Sequence, residues 1–180
     1  MYDAAILVID DKPDVHQAIR LALQPHVERV ESAVSPDAIG AAMASGPFDC
    51  VLLDMNFAPG ERSGRQGLAA LDAIRAVDPA VSVVFMTAYG GVSLAVDALK
   101  RGGQDFLLKP WRNESLVAAV RAAVERTRSE RRGKSLESLE RVAIERALDR
   151  HGGNIARAAA ALGLSRPALY RRLARHGLES

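Results

Sequence analysis

The sequence predicts an α/β domain built on a five-stranded parallel sheet, followed by a small all-α unit. Three observations support this prediction. Short apolar segments of strand type alternate with segments of helical period over the first two thirds of the chain. Carboxylates directly follow two of those apolar segments. The last third has no strand-like segment and carries amphipathic helical segments separated by glycine-containing turns.

Five apolar runs define the predicted strands, and each is followed by a predicted helix. The strands cover residues 4–9, 28–34, 51–54, 81–88 and 105–108. The helices cover residues 14–24, 36–45, 68–77, 92–99 and 114–128. Ser35-Pro36 is a favourable helix start, and Gly46-Pro47 and Asp78-Pro79 are helix ends. Apolar strands in this alternation favour a parallel sheet covered by helices on both faces.

The composition is typical of a protein with an aliphatic core. Hydrophobic residues make up 48% of the 180 residues but aromatic residues only 4%. The single cysteine, Cys50, lies in an apolar run and is interpreted as core filler, so no disulfide or thiolate metal site is expected. The N-terminus shows no basic segment before an apolar one, and no apolar run reaches the ~18 residues of a membrane span. We therefore expect a cytoplasmic protein that does not enter a membrane.

The charge is divided unevenly along the chain. Residues 1–125 carry 11 Lys and Arg against 16 Asp and Glu, a net charge of −5, whereas residues 126–180 carry 13 against 6, a net charge of +7. This division indicates that only the second part meets a polyanion.

Polar residues follow the predicted strands at the edge where sites form in parallel sheets. These are Asp10 and Asp11 after the first strand, Asp54 after the third, Thr87 after the fourth and Lys109 after the fifth. Three carboxylates around one point repel each other unless a hard cation joins them, and oxygen ligands of this kind suit Mg²⁺. A lysine and a threonine hydroxyl beside them suit an arriving phosphoryl group.

The segments ILVIDD, VLLDMN, VVFMTA and DFLLKP together resemble the receiver domain of two-component response regulators, over roughly residues 4–126. The resemblance implies a flavodoxin-like sheet with strand order 2-1-3-4-5. It implies that Asp54 accepts a phosphoryl group from a sensor histidine kinase. It also implies that Asp10, Asp11, Asp54 and the main-chain carbonyl of Asn56 hold Mg²⁺.

The same resemblance gives roles to the residues of the last two strands. Thr87 would bind a phosphoryl oxygen, and Lys109 would pair with the phosphoryl charge. Phe106 would rotate inward from an exposed position when Thr87 moves. The Lys109-Pro110 bond is expected to be cis, as is usual in that family.

Asn56 also argues against a related chemistry. Haloacid-dehalogenase-like phosphatases carry an acid-base aspartate two positions after their nucleophile, whereas this chain has Asn56 there. We therefore expect no enzyme beyond self-phosphorylation from a phosphodonor and self-dephosphorylation. The loop after Asp54, NFAPGERSG, is longer than is usual in receivers and resembles that of some regulators of the nitrogen-regulation type.

The last third of the chain predicts a helix-turn-helix. Residues 126–135 are polar and charged and are compatible with a helical extension or a flexible linker. A helix is predicted from residue 136 to Gly152-Gly153, a second with Asn154 as its cap, and a third starting at Ser165. The segment GGNIARAAAALGLSRPALYRRLARHGL closely resembles the Fis-type helix-turn-helix, which implies a homodimer that binds double-stranded DNA.

The candidate DNA contacts lie at the predicted second and third helices. The groove-facing start of the third helix is expected to present Ser165, Arg166, Ala168, Tyr170 and Arg171. Of these, Arg166 is the candidate for a guanine contact. The residues expected to touch phosphates are Asn154, Arg157, Arg172 and Arg175.

These patterns divide the chain into a receiver at residues 1–126, a linker at 127–135 and a helix-turn-helix domain at 136–180. Regulators of the nitrogen-regulation type usually carry an ATPase domain between such parts, but this chain contains no GxxxxGK[ST] phosphate loop. The sequence therefore predicts a response regulator that binds DNA directly when Asp54 is phosphorylated. Two alternatives stay open: a constitutive Fis-like DNA-organising protein, and a phosphate sink or adaptor that does not bind DNA.

Overall fold

The computed structural model of the chain describes residues 2–57, 63–88 and 100–178. Two compact units divide the chain, at residues 1–130 and 131–180. Among the described residues, strands occur in the first of these units, and the second unit is helical. Within the described ranges, no helix is long and apolar enough to span a membrane.

All five predicted strands are present and form one parallel sheet. They are β1 (Tyr2–Ile9), β2 (Val27–Ala33), β3 (Cys50–Asp54), β4 (Ser82–Thr87) and β5 (Asp105–Leu108). Their order is β2-β1-β3-β4-β5, as the resemblance implied. The register sets Leu53 beside Ile9 on one side and Phe85 on the other. Because the strands run in parallel, the residues that follow them meet at one edge of the sheet.

Helices cover both faces of this sheet. They are α1 (Pro13–Leu23), α2 (Ile39–Ala44), α3 (Arg65–Val77) and α4 (Asn113–Arg150), and a 3₁₀ turn (Pro36–Ala38) leads into α2. Ser35 stands at the start of that turn, as predicted, but its side chain makes no capping hydrogen bond. The predicted helix over residues 92–99 falls outside the described residues.

The core of the first unit has two layers because successive strand residues point to opposite faces. On one face Ile6 and Val8 pack with residues of α1 and the first part of α4. On the other face Leu7 and Ile9 pack with residues of α2 and α3. Every residue of β3 and β4 is buried, as expected for central strands of a sheet covered on both sides. Cys50 is among them, and burial raises the pKa of its thiol, which agrees with its interpretation as core filler.

Helix α4 is much longer than the sequence predicted. Its 38 residues include the predicted linker at 127–135, so the helical alternative for this segment is the one observed. The segment contains no proline, and most of its residues are good helix formers. Its one glycine, Gly133, is exposed and does not interrupt the helix.

The second unit packs the end of α4 against α5 (Ile155–Ala161) and α6 (Arg166–His176). The buried members of its small core are Ile144, Ala147, Ala158, Ala159, Leu169 and Leu173. Both predicted caps are confirmed, since Asn154 accepts a hydrogen bond from the backbone of Arg157 and Ser165 from that of Ala168. Between α5 and α6 the chain turns at Gly163, whose φ of 67° strongly favours glycine.

Candidate functional site

The first candidate site is the group of carboxylates at the carboxyl edge of the sheet. Asp10 follows β1 and is fully buried, and Asp54 ends β3 with only 4% of its surface exposed. Asp10, Asp11 and Asp54 each offer a carboxylate oxygen, and these three atoms lie within 4.8 Å of one another. The structure therefore brings together the three acidic residues that the sequence grouped.

Lys109 joins two of these carboxylates directly. Its Nζ donates to Asp10 Oδ2 at 2.6 Å and to Asp54 Oδ1 at 2.8 Å. The lysine follows β5, whose end is fixed by a hydrogen bond from the Lys109 backbone to the carbonyl of Thr87. The Lys109-Pro110 bond is cis, as predicted. One cation thus balances part of the negative charge that the strand ends concentrate.

The protonation of the cluster reflects burial and this pairing together. Burial raises the pKa of Asp54 above its ordinary value, although the hydrogen bond and the charge of Lys109 oppose the rise. Burial acts in the other direction on Lys109, but its hydrogen bonds to Asp10 and Asp54 outweigh it, so the pKa of Lys109 is raised. Burial and pairing therefore act in opposite directions on the pKa of each of these two groups.

The donor set fits a hard cation. Asp10 Oδ1 accepts from the backbone of Lys12 at 3.0 Å, whereas Asp11 Oδ1 is buried and has no hydrogen-bond partner among the described residues. A buried oxygen of this kind is costly unless something binds it. Carboxylate oxygens are the ligands that Mg²⁺ prefers, so the residues present suit that ion.

His16 is a neighbour of the cluster that sequence patterns did not single out. It lies in α1, is 8% exposed, and its Nε2 donates to the main-chain carbonyl of Asp10 at 2.7 Å. This contact helps to fix the turn that carries Asp10 and Asp11. The signal in the sequence was its position six residues after Asp10, on the first turn of a helix that follows the acidic pair.

Thr87 and Phe106 lie on the neighbouring strands. Thr87 ends β4 and is 1% exposed. Phe106 differs from expectation because it is half-buried rather than exposed. Its ring stacks on that of Phe85 with 5.2 Å between ring centroids and an interplanar angle of 28°. The stacking is possible because β4 and β5 pair with these two residues in register.

The described ends of the loop after Asp54 are tied together. Asn56 Oδ1 accepts from the backbone of Gly64 at 3.1 Å, and Gln66 Oε1 accepts from the backbone of Phe57 at 3.0 Å. Gly67 packs so closely on Met55 that an added Cβ would lie 2.8 Å from the Met55 Cα. A larger residue at Gly67 would therefore displace the backbone directly after the acidic cluster.

The second candidate site is the surface of α5 and α6. Arg157, Arg166, Tyr170 and Arg171 are exposed, and Ala168 is half-buried. Asn154 and Ser165 use their side-chain oxygens as caps. Arg172 and Arg175 both contact Glu140 of α4, which sequence patterns did not show.

Family models match two segments of the chain. Residues 6–121 match the response regulator receiver domain, and residues 135–176 match the Fis family of bacterial regulatory proteins. Only residues 122–134 lie between the two matched segments.

Known relatives agree with these matches. The nitrogen assimilation regulatory protein NtrX of Azorhizobium caulinodans is 32% identical over 134 residues, which are 74% of this chain and 29% of the relative. The transcriptional regulatory protein ZraR of Escherichia coli K12 is 35% identical over 124 residues, 69% of this chain and 27% of the relative. The chain thus spans less than a third of the length of these relatives.

Solved structures of response regulators superpose on this chain. NtrX from Brucella abortus superposes with a TM-score of 0.66 at 30% identity, over 75% of this chain and 30% of the other. The N-terminal signal receiver domain of a two-component response regulator from Bacteroides fragilis gives a TM-score of 0.61 at 32% identity, over 68% of this chain and 98% of the other. From its fold, its acidic edge and these matches, the chain belongs to the response regulators, with a receiver domain followed by a Fis-type helix-turn-helix.

Proposed function

We propose that the chain is a phosphorylation-controlled transcription factor, in which a sensor histidine kinase phosphorylates Asp54 and the helix-turn-helix then binds double-stranded DNA as a dimer. One observation carries this proposal. Lys109 Nζ bridges Asp54 and Asp10 at the carboxyl edge of the receiver sheet, in a chain that also carries a DNA-binding type of helix pair. The strand-edge carboxylate is the nucleophile, and the lysine is the cation that meets the transferred group.

The chemistry follows from these positions. An Asp54 carboxylate oxygen attacks the phosphorus of the kinase phosphohistidine and forms the O–P bond of an acyl phosphate. The P–N bond breaks, and its electron pair stays on the imidazole nitrogen, which takes up a proton. Lys109 Nζ, which donates to Asp54 Oδ1 before the reaction, then donates to a phosphoryl oxygen instead. Asp10, Asp11, Asp54 and the main-chain carbonyl of Asn56 would hold Mg²⁺, which would further neutralise the phosphoryl charge.

A change at Asp54 has a direct route to the neighbouring strands. Thr87 lies at the end of β4, and its hydroxyl donates to a second phosphoryl oxygen. Phe85 lies two residues before Thr87 on β4 and stacks on Phe106, so we infer that a movement of Thr87 alters the packing that holds Phe106. A coupling of about 1–3 kcal/mol is enough for a useful switch.

The charge and surface of residues 131–178 support DNA binding by a dimer. The basic part of the chain coincides with this unit. Three exposed apolar residues of α4, here called the apolar stripe, recur at three-residue spacing: Leu136, Leu139 and Val142. Residues three apart lie on neighbouring parts of a helix surface, so the stripe forms an exposed apolar surface. Packing against the same helix of a second chain would bury it. Arg166 and Arg171 then read base edges, and Arg157 contacts phosphate.

Fluorescence anisotropy on DNA selected from a random pool tests the proposal. Wild type and Asp54→Asn are compared with and without Mg²⁺ and beryllofluoride, which mimics a phosphoryl group. We expect beryllofluoride to tighten binding by wild type about fivefold to 150-fold, the range of typical allosteric couplings, and to leave Asp54→Asn unchanged. Equal binding in all samples would indicate a constitutive DNA-organising protein. No binding in any sample would indicate the adaptor.

A further inference from the structure

Glu140 accepts hydrogen bonds from three basic side chains of α6. Its Oε1 accepts from Arg172 Nε at 2.5 Å, and its Oε2 accepts from Arg175 Nη2 at 3.1 Å and from His176 Nε2 at 3.0 Å. The carboxylate belongs to α4, and the donors extend over more than one turn of α6. One side chain therefore links two helices at three points.

This cluster is more enclosed than an ordinary surface ion pair. The His176 side chain is only 8% exposed, and those of Glu140 and Arg172 are 30% and 31% exposed, whereas that of Arg175 is 56% exposed. The pair formed by Arg141 and Glu145, about one turn apart in α4, has 54% and 41% exposure. Exposed pairs of that kind contribute little to stability because water competes for both charges. The Glu140 cluster instead joins two helices, with one carboxylate shared by three donors of α6.

The cluster divides the arginines of α6 into two sets. Leu169 and Leu173 face the small core, and Arg172 lies beside that buried face. Arg172 donates from Nε to Glu140, and its Nη1 is 3.4 Å from the carbonyl of Ala168. Arg166 and Arg171 are exposed and form no ion pair with any described residue. This second set presents its guanidinium groups without a carboxylate partner from the described part of the chain.

We propose that Glu140 is a positioning residue for DNA recognition, which fixes α6 and keeps Arg172 and Arg175 from binding phosphates of any sequence. Arg172 and Arg175 thus leave the set of phosphate contacts that the sequence suggested. The inference rests on the proposed function, because it concerns how the DNA-binding helix discriminates between sequences. Its physical basis is competition: a carboxylate and a phosphate bind the same guanidinium donors.

Glu140→Gln tests the proposal in the full chain, with Glu145→Gln as the matched control. Both changes remove one negative charge from α4, and both residues pair with arginine. Affinity is measured by anisotropy for a selected DNA and for an unrelated DNA over a range of salt concentrations. We expect Glu140→Gln to lower the ratio of the two affinities about tenfold, a reduction on the scale of one mismatched base pair. We expect Glu145→Gln to leave the ratio unchanged.

The salt dependence separates positioning from phosphate contact. Replacing an arginine that touches a DNA phosphate reduces the slope of log K against log salt by about 0.9. We expect Arg172→Gln to keep the wild-type slope, because Arg172 does not touch a phosphate in the wild type. We expect the double variant to discriminate better than Glu140→Gln alone, because it no longer carries the released Arg172. A slope reduced by about 0.9 in Arg172→Gln, or an unchanged affinity ratio in Glu140→Gln, would overturn the proposal.

Amide hydrogen exchange of residues 166–176 tests whether Glu140 holds α6 in place, and its result does not depend on whether the chain binds DNA. We expect α6 to exchange at least about tenfold faster in Glu140→Gln than in Glu145→Gln, because only the first variant loosens its attachment to α4. If wild type bound no DNA, the proposed function would fail. Equal exchange in the two variants would show that Glu140 does not hold α6, whatever the DNA result.

Discussion

Both candidate sites contain single charged residues whose charge is balanced by several partners of opposite sign. Lys109 is 13% exposed and lies between two carboxylates, so its ammonium group stabilises a site that would otherwise concentrate negative charge. At Glu140 the signs are reversed, because one carboxylate accepts hydrogen bonds from three basic side chains. In both cases the partners come from different elements of secondary structure.

The Glu140 cluster predicts an acid-sensitive contribution to stability. Hydrogen bonds from His176 and Arg172 lower the pKa of Glu140 below its ordinary value of 4.5. The unfolded chain therefore takes up a proton at higher pH than the folded chain. The stabilisation is fully present above the unfolded pKa and is lost as the pH falls through the folded pKa.

Urea unfolding at about pH 6 and about pH 3.5, followed by circular dichroism, measures this contribution. We expect Glu140→Gln to lose less free energy of unfolding than wild type between the two pH values. Glu145→Gln serves as the control and should keep the wild-type difference. The same pH dependence in wild type and Glu140→Gln would rule out Glu140 as its source.

At the scale of elements, helix α4 is attached to the sheet by side chains near the end of the first unit. Thr127 Oγ1 accepts a hydrogen bond from the backbone of Ser82 at the start of β4, at 2.8 Å in a buried position. Arg128 pairs with Asp49, which in turn accepts from the backbone of Ala5. The helix is thus joined to the first residue of β4 and to the residue before β3, which in turn holds β1, at the edge of the sheet opposite Asp54.

Thr127→Val should destabilise the first unit by about 1–3 kcal/mol, because the buried N–H of Ser82 loses its acceptor while the side chain keeps its shape. Urea unfolding followed by the fluorescence of Trp111 measures this, since Trp111 is the single tryptophan and packs against the core of this unit. Thr127→Ser is the matched control because it keeps the hydroxyl group. A valine variant as stable as the serine variant would show that this hydrogen bond contributes nothing.

At the scale of the whole molecule, the two units differ in charge as well as in fold. The acidic residues gather in the part that carries the phosphoacceptor candidate, and the basic residues in the part that matches the Fis family. The proposed dimer would present two copies of α6, and two linked helices bind two DNA half-sites with much higher combined affinity than one helix binds one.

Leu139→Asp tests the apolar stripe as the contact between copies. A charge in a buried apolar contact is costly, so we expect the dimer dissociation constant to rise at least about tenfold and DNA affinity to fall with it. Analytical ultracentrifugation measures the first effect and anisotropy the second. Leu21→Asp is the matched control, since Leu21 is 64% exposed and Leu139 63%. An equal effect of the two changes, or no effect of either, would exclude the stripe.

Local sequence patterns are enough to predict the strands and the residues at the ends of the elements. The five strands, the caps at Asn154 and Ser165, and the grouping of Asp10 with Asp54 follow from local periodicity and from the rule that parallel strands end at one edge. The length of α4 was not determined, because a polar segment without proline is compatible with both helix and linker.

Which distant side chains contact each other depends on how the elements pack in the fold. Glu140 and Arg172 lie 32 positions apart, and Ser82 and Thr127 lie 45 apart. Local patterns carry no information about such pairs, because they depend on how helices pack and at which angle. For the same reason the sequence pattern places Arg172 and Arg175 among the candidate phosphate contacts, because it does not show that both donate to Glu140. The packing of α6 on α4 placed both of them against a carboxylate.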